Sequence, residues 1–289
     1  MKMTLDCIPC FIRQALDAAR MVSDDPSVHA KILNEVLQWA CSVDLQQPAP
    51  VIGQRIHRRL RQIVGVDDPY RPAKDHQNRM ALAMLPDLRR RIESASDPFD
   101  MAMRTAIAGN VIDLGVPGSV TGESIRISIE KCLSEPLIGD PAQFWSAVEK
   151  AKKILYITDN AGEIVFDRLL IEKLGPSRVT VAVRGAPAIN DATMADAVAA
   201  GLDQIVEIID NGSDAPGTLL YECSSEFRQR FNEADLIVAK GQGNFETLSD
   251  EPGNIYFLFK VKCRVVSEHA QIELGSHVVV SRDLYATAP

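Results

Sequence analysis

The order of secondary structure implied by residues 153–280 constrains the fold more than any other feature of this sequence. Short runs of β-branched and aliphatic residues alternate there with amphipathic stretches of helical spacing. The predicted strands are 153–158, 179–183, 205–209, 236–239, 264–266 and 277–280. The predicted helices cover 164–174, about 191–200 and 226–233. Because strands that alternate with helices form parallel sheets with right-handed crossovers, we predict an α/β fold for this half.

Residues before about 150 show a different pattern, which predicts helices. Apolar residues recur at helical spacing in the segments 10–21, 28–39, 52–64 and 78–92, and turn signals, prolines among them, lie between these segments. The chain has 289 residues, a length typical of two domains. We therefore predict a helical N-terminal domain at 1–150 and a Rossmann-like α/β/α sandwich, the metal-binding domain, at 151–289.

Composition and charge exclude several classes of protein. With 46% hydrophobic residues, the chain has ample material for a core. No apolar run approaches the roughly 18 residues that cross a bilayer, and the first residues, MKMTLD, do not resemble a signal peptide. The formal net charge is -8, whereas a nucleic-acid surface needs clustered Lys and Arg. We predict a cytoplasmic protein that binds neither nucleic acid nor membrane, and the sequence leaves its oligomeric state open.

Polar and glycine-rich residues follow each of the first four predicted strands. The segments are 159–163 (DNAGE), 184–191 (RGAPAIND), 210–212 (DNG) and 240–246 (KGQGNFE). Open α/β sheets bind their ligands beyond the carboxyl ends of the strands. We therefore expect the functional site at this edge of the sheet.

Three oxygen-bearing side chains at this edge suit a hard divalent cation. Asp159, Asn160 and Asp191 supply two carboxylates and an amide carbonyl. Mg²⁺ and Mn²⁺ accept such ligands and keep water in their remaining positions. Taken alone, Asp159 is equally well explained as a cap of the following helix. The combination with Asp191 and Lys240 favours a metal site.

The segment 240–246 joins a cation to a loop with little side-chain bulk. Gly241 and Gly243 could turn backbone N–H groups toward an anion, and Lys240 could neutralise a phosphate charge, although a plain glycine turn is the alternative. The segment is not a Walker loop, whose lysine stands at the end, and no Gly-x-Gly-x-x-Gly follows the first strand. A divalent metal, a lysine and an anion-binding loop together predict a phosphoryl site.

Two further pairs of residues carry weaker signals. Asn110 and Asp113 are three residues apart and share a helical face, so both could reach one cleft, although the bare sequence favours an exposed helical pair. Cys7 and Cys10 form a CxxC with no second CxxC and no preceding strand. Half a metal site, helix packing and a redox role all stay open for this CxxC.

Five segments occur in an order that resembles a known family. They are 6–10 (DCIPC) with 13–16 (RQAL), 109–113 (GNVID), 159–163 (DNAGE), 190–193 (NDAT) and 240–246 (KGQGNFE). Their order is similar to that of the damage-control phosphatase family, also known as domain of unknown function 89, in its microbial branch with an N-terminal CxxC. The resemblance spans nearly the whole chain, and the five segments are specific jointly rather than one by one.

The resemblance implies a metal-dependent phosphatase that hydrolyses small phosphometabolites, such as sugar phosphates or damaged metabolites. It implies an α/β/α metal-binding domain beside a helical one, with Mn²⁺, Co²⁺, Ni²⁺ or Mg²⁺ as the metal. The residues expected to bind the metal are Asp159, Asn160 and Asp191. Lys240 is expected to face the substrate phosphate, with Asn110 and Asp113 at the same cleft. The other residues predicted to bind substrate come from the same loops and are Glu163, Gly241, Gly243 and Asn244.

Asp159 and Lys240 are the predicted catalytic residues, and we favour a water that attacks phosphorus in line. Phosphatases with a carboxylate nucleophile usually carry a second Asp two residues later, where this chain has Ala161. A non-catalytic metal-binding or carrier protein is the main alternative, and phosphate release distinguishes it from an enzyme. A carboxyl methyltransferase ranks last because the first strand lacks the glycine-rich turn common in methyltransferases.

Overall fold

The computed structural model describes residues 1–111 and 121–283, and its first part is helical. The helices there are α1 Cys7–Val22, α2 Pro26–Ala40, α3 Ala49–Val64, α4 Arg71–Glu93, α5 Pro98–Ala108 and α6 Gly122–Ser134. All four predicted helical segments are confirmed by α1 to α4. A 3-10 turn, Gly109–Val111, follows α5 and contains Asn110. Asp113 lies outside the described residues.

Short sequence signals explain where several of these helices begin. Asp25 and Asp97 each precede a proline at the first helical position, and their side chains accept hydrogen bonds from the backbone of the first turn. An Asp or Asn cap satisfies an orphan N–H, while proline has no N–H to leave unpaired there. The same Asp-Pro pair, with Asp140 as the cap, begins the next helix along the chain.

The second part is a mostly parallel sheet interleaved with helices. Its elements are β1 Ile138–Gly139, α7 Pro141–Lys150, β2 Ile154–Ile157, α8 Glu163–Leu174, β3 Val179–Val183, α9 Met194–Ala199, β4 Glu207–Asp210, α10 Ser225–Glu233, β5 Leu236–Lys240, α11 Gln242–Leu248, β6 Ile255–Lys260, α12 Arg264–Ala270 and β7 His277–Ser281. Within the described residues the sheet has seven strands in the order β1-β7-β6-β5-β2-β3-β4. The α/β fold class is confirmed.

Two details of the predicted sheet are wrong. The segment 264–266 lies in helix α12, because Cys263 caps the helix by accepting from the N–H of Val266. The structure has a strand before this helix instead, β6, at residues for which no strand is predicted. The sheet is also not wholly parallel, since β6 and β7 run antiparallel.

Helices cover both faces of the sheet. Ile154 and Tyr156 of β2 belong to one apolar core, which α5 and α8 complete. Leu155 and Ile157 point to the opposite core, where side chains of α10, α11 and α12 pack. Because neighbouring side chains of a strand alternate between faces, a strand buried on both sides reads as continuously apolar, as β2 does.

The helical part divides between two environments. Helices α1 to α3 share a core of their own, centred on Ala15, Ile32 and Ile56. Helices α4 to α6 pack into the core of the sheet, and β1 pairs with β7. The domain boundary at residue 150 stays a prediction. Among the described residues, no helix is both long enough and apolar enough to cross a membrane.

Candidate active site

Three neighbouring strands bring the predicted residues to one edge of the sheet. β2 pairs with β3 on one side and with β5 on the other, so the segments after Ile157, Val183 and Ala239 meet there. Two backbone hydrogen bonds then join the segments after β2 and β3. The N–H of Ala192 donates to the carbonyl of Asp159, and the N–H of Ala161 donates to the carbonyl of Asn190, each at 2.7 Å.

Two amide side chains hold two carboxylates together at this edge. The Nδ2 of Asn110 donates to Asp159 Oδ2 and to Glu163 Oε2, both at 2.9 Å. The Nδ2 of Asn160 donates to the same two oxygens at 2.7 and 2.8 Å. The structure therefore brings together four residues that the sequence assigned to the site, and it fixes one oxygen of each acid.

The charge at this edge is not balanced locally. Burial, and then the negative charges of Glu163 and Asp191, hold the pKa of the Asp159 carboxyl well above its ordinary value. Lys262 and Arg184 act in the opposite direction but do not outweigh this effect. A carboxylate in such surroundings is stabilised by any cation that binds beside it.

Lys240 lies behind this group and is fully buried. Its Nζ donates to the carbonyl of Ala106 at 2.9 Å, to Glu163 Oε1 at 2.8 Å and to Asp167 Oδ1 at 2.5 Å. Burial alone would lower the pKa of Lys240, but the two acids outweigh it and raise the pKa. An ammonium has three N–H bonds, and all three meet protein acceptors here. Contact between Lys240 and a substrate phosphate stays a prediction.

Asp167 also belongs to this buried group, although it is not among the site residues predicted from the sequence. Its Oδ1 also accepts from the hydroxyl of Tyr156 at 2.8 Å. Burial is the main reason that the pKa of Asp167 rises to about 6. In the sequence Asp167 is one polar residue in a helix, and only packing against β5 shows that it faces a lysine.

A buried arginine orients the second predicted metal ligand. Arg184 Nε donates to Asp191 Oδ2 at 2.6 Å. Its guanidinium also donates to Thr218 and Asn244, and Asn244 itself donates to the carbonyls of Thr158 and Lys240. In the structure Asn244 therefore orients Arg184. Arg184 begins the segment 184–191 after the second predicted strand, and this place at the carboxyl end of a strand is the sequence signal that indicates it.

The two loop glycines allow close approach of other atoms. Gly241 has a φ of +78°, and a Cβ there would lie 2.0 Å from Asp159 Oδ2. A Cβ on Gly243 would lie 2.5 Å from the carbonyl oxygen of Pro216. The N–H of Gly241 donates to the carbonyl of Leu258. Gly241 thus makes room for the Asp159 carboxylate, and an anion-binding role for the loop stays a prediction.

Helix α4 of the helical part reaches the same loop through Asn78. Its Oδ1 accepts from the N–H of Gly162 at 2.7 Å, and its Nδ2 donates to Asp196 Oδ1 at 2.8 Å. Asp196 forms ion pairs with Lys74 and Arg71 of the same helix. No sequence pattern near residue 78 indicates this contact, because it depends on how α4 packs.

The Asp196 ion pairs predict a loss of stability in acid. Lys74, Arg71 and hydrogen bonds from Thr193 outweigh burial and lower the pKa of Asp196 from 3.8 to about 2. A lowered folded-state pKa stabilises the fold above the unfolded pKa, and this stabilisation of about 2 kcal/mol is lost as pH falls from about 4 to 2. Urea unfolding should therefore show Asp196→Asn less stable than the wild type at pH 7, with the difference shrinking toward pH 3. Asp87→Asn is the control, because it removes the same charge from an exposed side chain. A difference independent of pH would contradict the assignment.

The described residues offer a cation one kind of ligand set at this edge. Among them, no three His, Cys, Asp or Glu side chains are arranged to hold a metal. Metal binding by Asp159, Asp191 and the amide oxygen of Asn160, with water in the remaining positions, stays a prediction. Hard oxygen donors beside unbalanced negative charge fit a divalent cation of the Mg²⁺ or Mn²⁺ type.

Comparison with known proteins identifies the family of this chain. The model of the damage-control phosphatase ARMT1-like domain matches residues 3–278. The chain belongs to this family. A protein of Archaeoglobus fulgidus named damage-control phosphatase is 36% identical, over 96% of this chain and 98% of its own. A protein of Pyrococcus horikoshii, also named a damage-control phosphatase, is 34% identical over 96% of this chain and 97% of its own.

Membership of the ARMT1-like family extends to the three-dimensional structure. A crystal structure of a DUF89 family protein from Pyrococcus horikoshii superposes with a TM-score of 0.88 at 33% identity, covering 98% of this chain and 99% of that one. The family resemblance seen in the sequence is thus confirmed for the whole chain. Assignment to the branch with an N-terminal CxxC stays a prediction.

Proposed function

We propose that this protein is a metal-dependent phosphatase that hydrolyses small phosphorylated metabolites, including damaged ones. The observation that carries the proposal is the buried Asp159 carboxylate, which is held by two amides beside Asp191 at the carboxyl edge of the sheet. Membership of a family whose relatives are named damage-control phosphatases supports the same reaction class.

Asp159, Asn160 and Asp191 are the residues that would hold the divalent metal, which is Mn²⁺, Co²⁺, Ni²⁺ or Mg²⁺ in our proposal. Such an ion, when bound, supplies Lewis-acid polarisation of a phosphoryl oxygen. Arg184 fixes Asp191 through its 2.6 Å hydrogen bond. Asn110 fixes one oxygen of Asp159. Preorganised charge of this kind acts without rearrangement during the reaction.

The residues behind the ligands complete the proposed site. Glu163 accepts from Asn110, Asn160 and Lys240, so it holds the amides in the orientation that Asp159 requires. Lys240 places a buried positive charge near the site, and we propose that it offsets part of the negative charge that a phosphate brings. Gly243 and Asn244 belong to the loop that we propose to face the substrate. A water is the proposed nucleophile, because Ala161 stands where a carboxylate-nucleophile phosphatase would carry its acid.

Phosphate release tests the proposal directly. Protein treated with a chelator should release no phosphate from p-nitrophenyl phosphate or from a panel of sugar phosphates. Adding back Mn²⁺, Co²⁺, Ni²⁺ or Mg²⁺ should restore release with at least one of them. If the protein binds metal, seen as a rise in its melting temperature, but hydrolyses none of the esters, the non-catalytic metal-binding alternative replaces this proposal.

A further inference from the structure

A cavity lies beside the loops of the candidate active site, and the proposed reaction does not yet use it. Its volume is about 300 Å³, and it lies between the helical part and the sheet. Helices α1 and α3 form one wall, with Cys7, Cys10 and Phe11 from α1. The opposite wall contains Gln242 and Glu246 of helix α11.

Two segments of the cavity wall are continuous with the active site. Gln242 and Gly243 directly follow Gly241, whose missing Cβ makes room for the Asp159 carboxylate. Ile189, two residues before Asp191, also lines the cavity and has a φ of +46°. A β-branched residue in the left-handed region is strained, and such strain is concentrated at functional sites. A ligand in this cavity would therefore touch the loop that carries Asp191 and the loop that follows β5.

The lining combines apolar walls with a small polar group. Apolar side chains contribute most of it, among them Met3, Phe11, Pro50, Ile189, Pro216 and Val266, and the exposed charged side chains of Lys2, Asp6 and Arg264 also line it. At the polar end, Gln242 Nε2 donates to Glu246 Oε1 at 2.8 Å and to Cys263 Sγ at 3.5 Å. Few polar partners and extensive apolar surface are typical of pockets for organic groups.

Burial reduces the negative charge of the polar group at neutral pH. Burial raises the pKa of Glu246 to about 7. Burial, with the nearby Glu246, also raises the pKa of the Cys10 and Cys263 thiols. Thiols with a raised pKa are protonated at neutral pH, so they add no charge to the cavity wall.

We propose that this cavity binds the organic part of a phosphomonoester whose alcohol carries an apolar group, while the phosphate binds at the Asp159 edge. This inference rests on the proposed phosphatase function. A volume of about 300 Å³ equals that of about ten waters, so the group is of the order of ten non-hydrogen atoms. A bare sugar would leave most of its hydroxyls without partners against these walls, which opposes its binding.

Protection of Cys10 from alkylation tests the cavity without any need for turnover. Cys10 is exposed at the cavity, and Cys41, which is exposed and does not line it, is the internal control. The probes are 2-naphthylphosphonate and methylphosphonate, which share the phosphonate and differ in the apolar group. With Mn²⁺ present, naphthylphosphonate at nine times its dissociation constant should slow N-ethylmaleimide labelling of Cys10 about tenfold, because protection scales as one plus the ratio of ligand to dissociation constant. Methylphosphonate should not slow it, and Cys41 labelling, read by mass spectrometry, should stay constant with both.

Filling the cavity tests the same assignment through specificity. Cys10→Trp should lower the ratio of kcat/KM for 2-naphthyl phosphate to kcat/KM for methyl phosphate by about tenfold or more, as loss of an apolar pocket does. Arg13→Trp is the matched control, since Arg13 lies on the same helix and its side chain is exposed. The control should leave the ratio at the wild-type value.

The outcomes separate this inference from the proposed function. Turnover of both esters with no protection of Cys10 and no change of the ratio would overturn the cavity assignment and leave the phosphatase proposal standing. Protection of Cys10 by naphthylphosphonate in a protein that hydrolyses no phosphomonoester would overturn the phosphatase proposal and leave an organic-phosphate binding site.

Discussion

The Asp159→Asn protein should keep its fold and release phosphate about 10³-fold more slowly than the wild type, the scale of losing one preorganised charge at a reacting centre. Asn has the size of Asp, and its amide oxygen can still accept from the Nδ2 groups of Asn110 and Asn160. What the variant loses is the negative charge that we propose to hold the metal.

The same substitution should not weaken the metal-free fold. The pKa of Asp159 is raised because burial and the charges of Glu163 and Asp191 oppose its ionisation. An acid whose pKa is raised on folding destabilises the protein once the pH exceeds its unfolded pKa, and in full above the raised pKa. In chelator, the melting temperature of Asp159→Asn should therefore equal or exceed that of the wild type. With Mn²⁺, the wild type should gain more thermal stability than the variant.

Asp203→Asn is the matched control, because Asp203 is an exposed acid at the opposite edge of the sheet. It borders a surface hollow formed with the first residues of β2 and β3, at the amino ends of the strands. The substitution makes the same change of charge far from the proposed metal and should keep both phosphate release and the Mn²⁺ effect. Full activity in Asp159→Asn would remove Asp159 from the metal site and with it the main support for the proposed mechanism.

The parts of the site that the sequence predicts are those fixed by strand order. Asp159, Asp191 and Lys240 each follow or end a buried strand, and the carboxyl ends of parallel neighbours meet at one edge. Asn110 is assigned to the site mainly by the family resemblance, because its spacing from Asp113 is typical of an exposed helical pair as well. The first turn of α12 resembles a strand in the sequence because it contains two β-branched residues, Val265 and Val266, and the residue that caps the helix is a cysteine.

The contacts that the sequence does not predict are those made across the packing of helices on the sheet. Asn78 accepts a hydrogen bond from Gly162, which lies 84 residues later in the sequence, and Asp167 accepts one from Lys240, which lies 73 residues later. Each is one polar residue within an amphipathic helix, where a solvent-exposed position is the commoner explanation. Their partners follow from the angle at which α4 and α8 pack, which no pattern within either helix determines.

Lys240→Met should be the most destabilising substitution in this set, with a loss of about 3–5 kcal/mol in the free energy of unfolding, as expected when one partner of a buried ion pair is removed. Methionine occupies a similar space but leaves Glu163 and Asp167 buried without their cation. Lys153→Met is the matched control, because Lys153 is exposed in its ion pair with Glu233 and should cost less than about 1 kcal/mol. Urea unfolding at neutral pH measures both.

The pH dependence identifies the cause of this loss. Without Lys240, the pKa of Asp167, already about 6, should rise further, so Asp167 would stay protonated in the folded state up to a higher pH. Because a raised folded-state pKa makes the ionised acid costly, the deficit of Lys240→Met should be larger at pH 8 than at pH 5. Adding Glu163→Gln and Asp167→Asn to Lys240→Met should recover most of the lost stability, because the two amides carry no charge that needs the lysine as a partner. If the triple variant is no more stable than Lys240→Met, packing around the lysine stem, rather than charge, holds this part of the core.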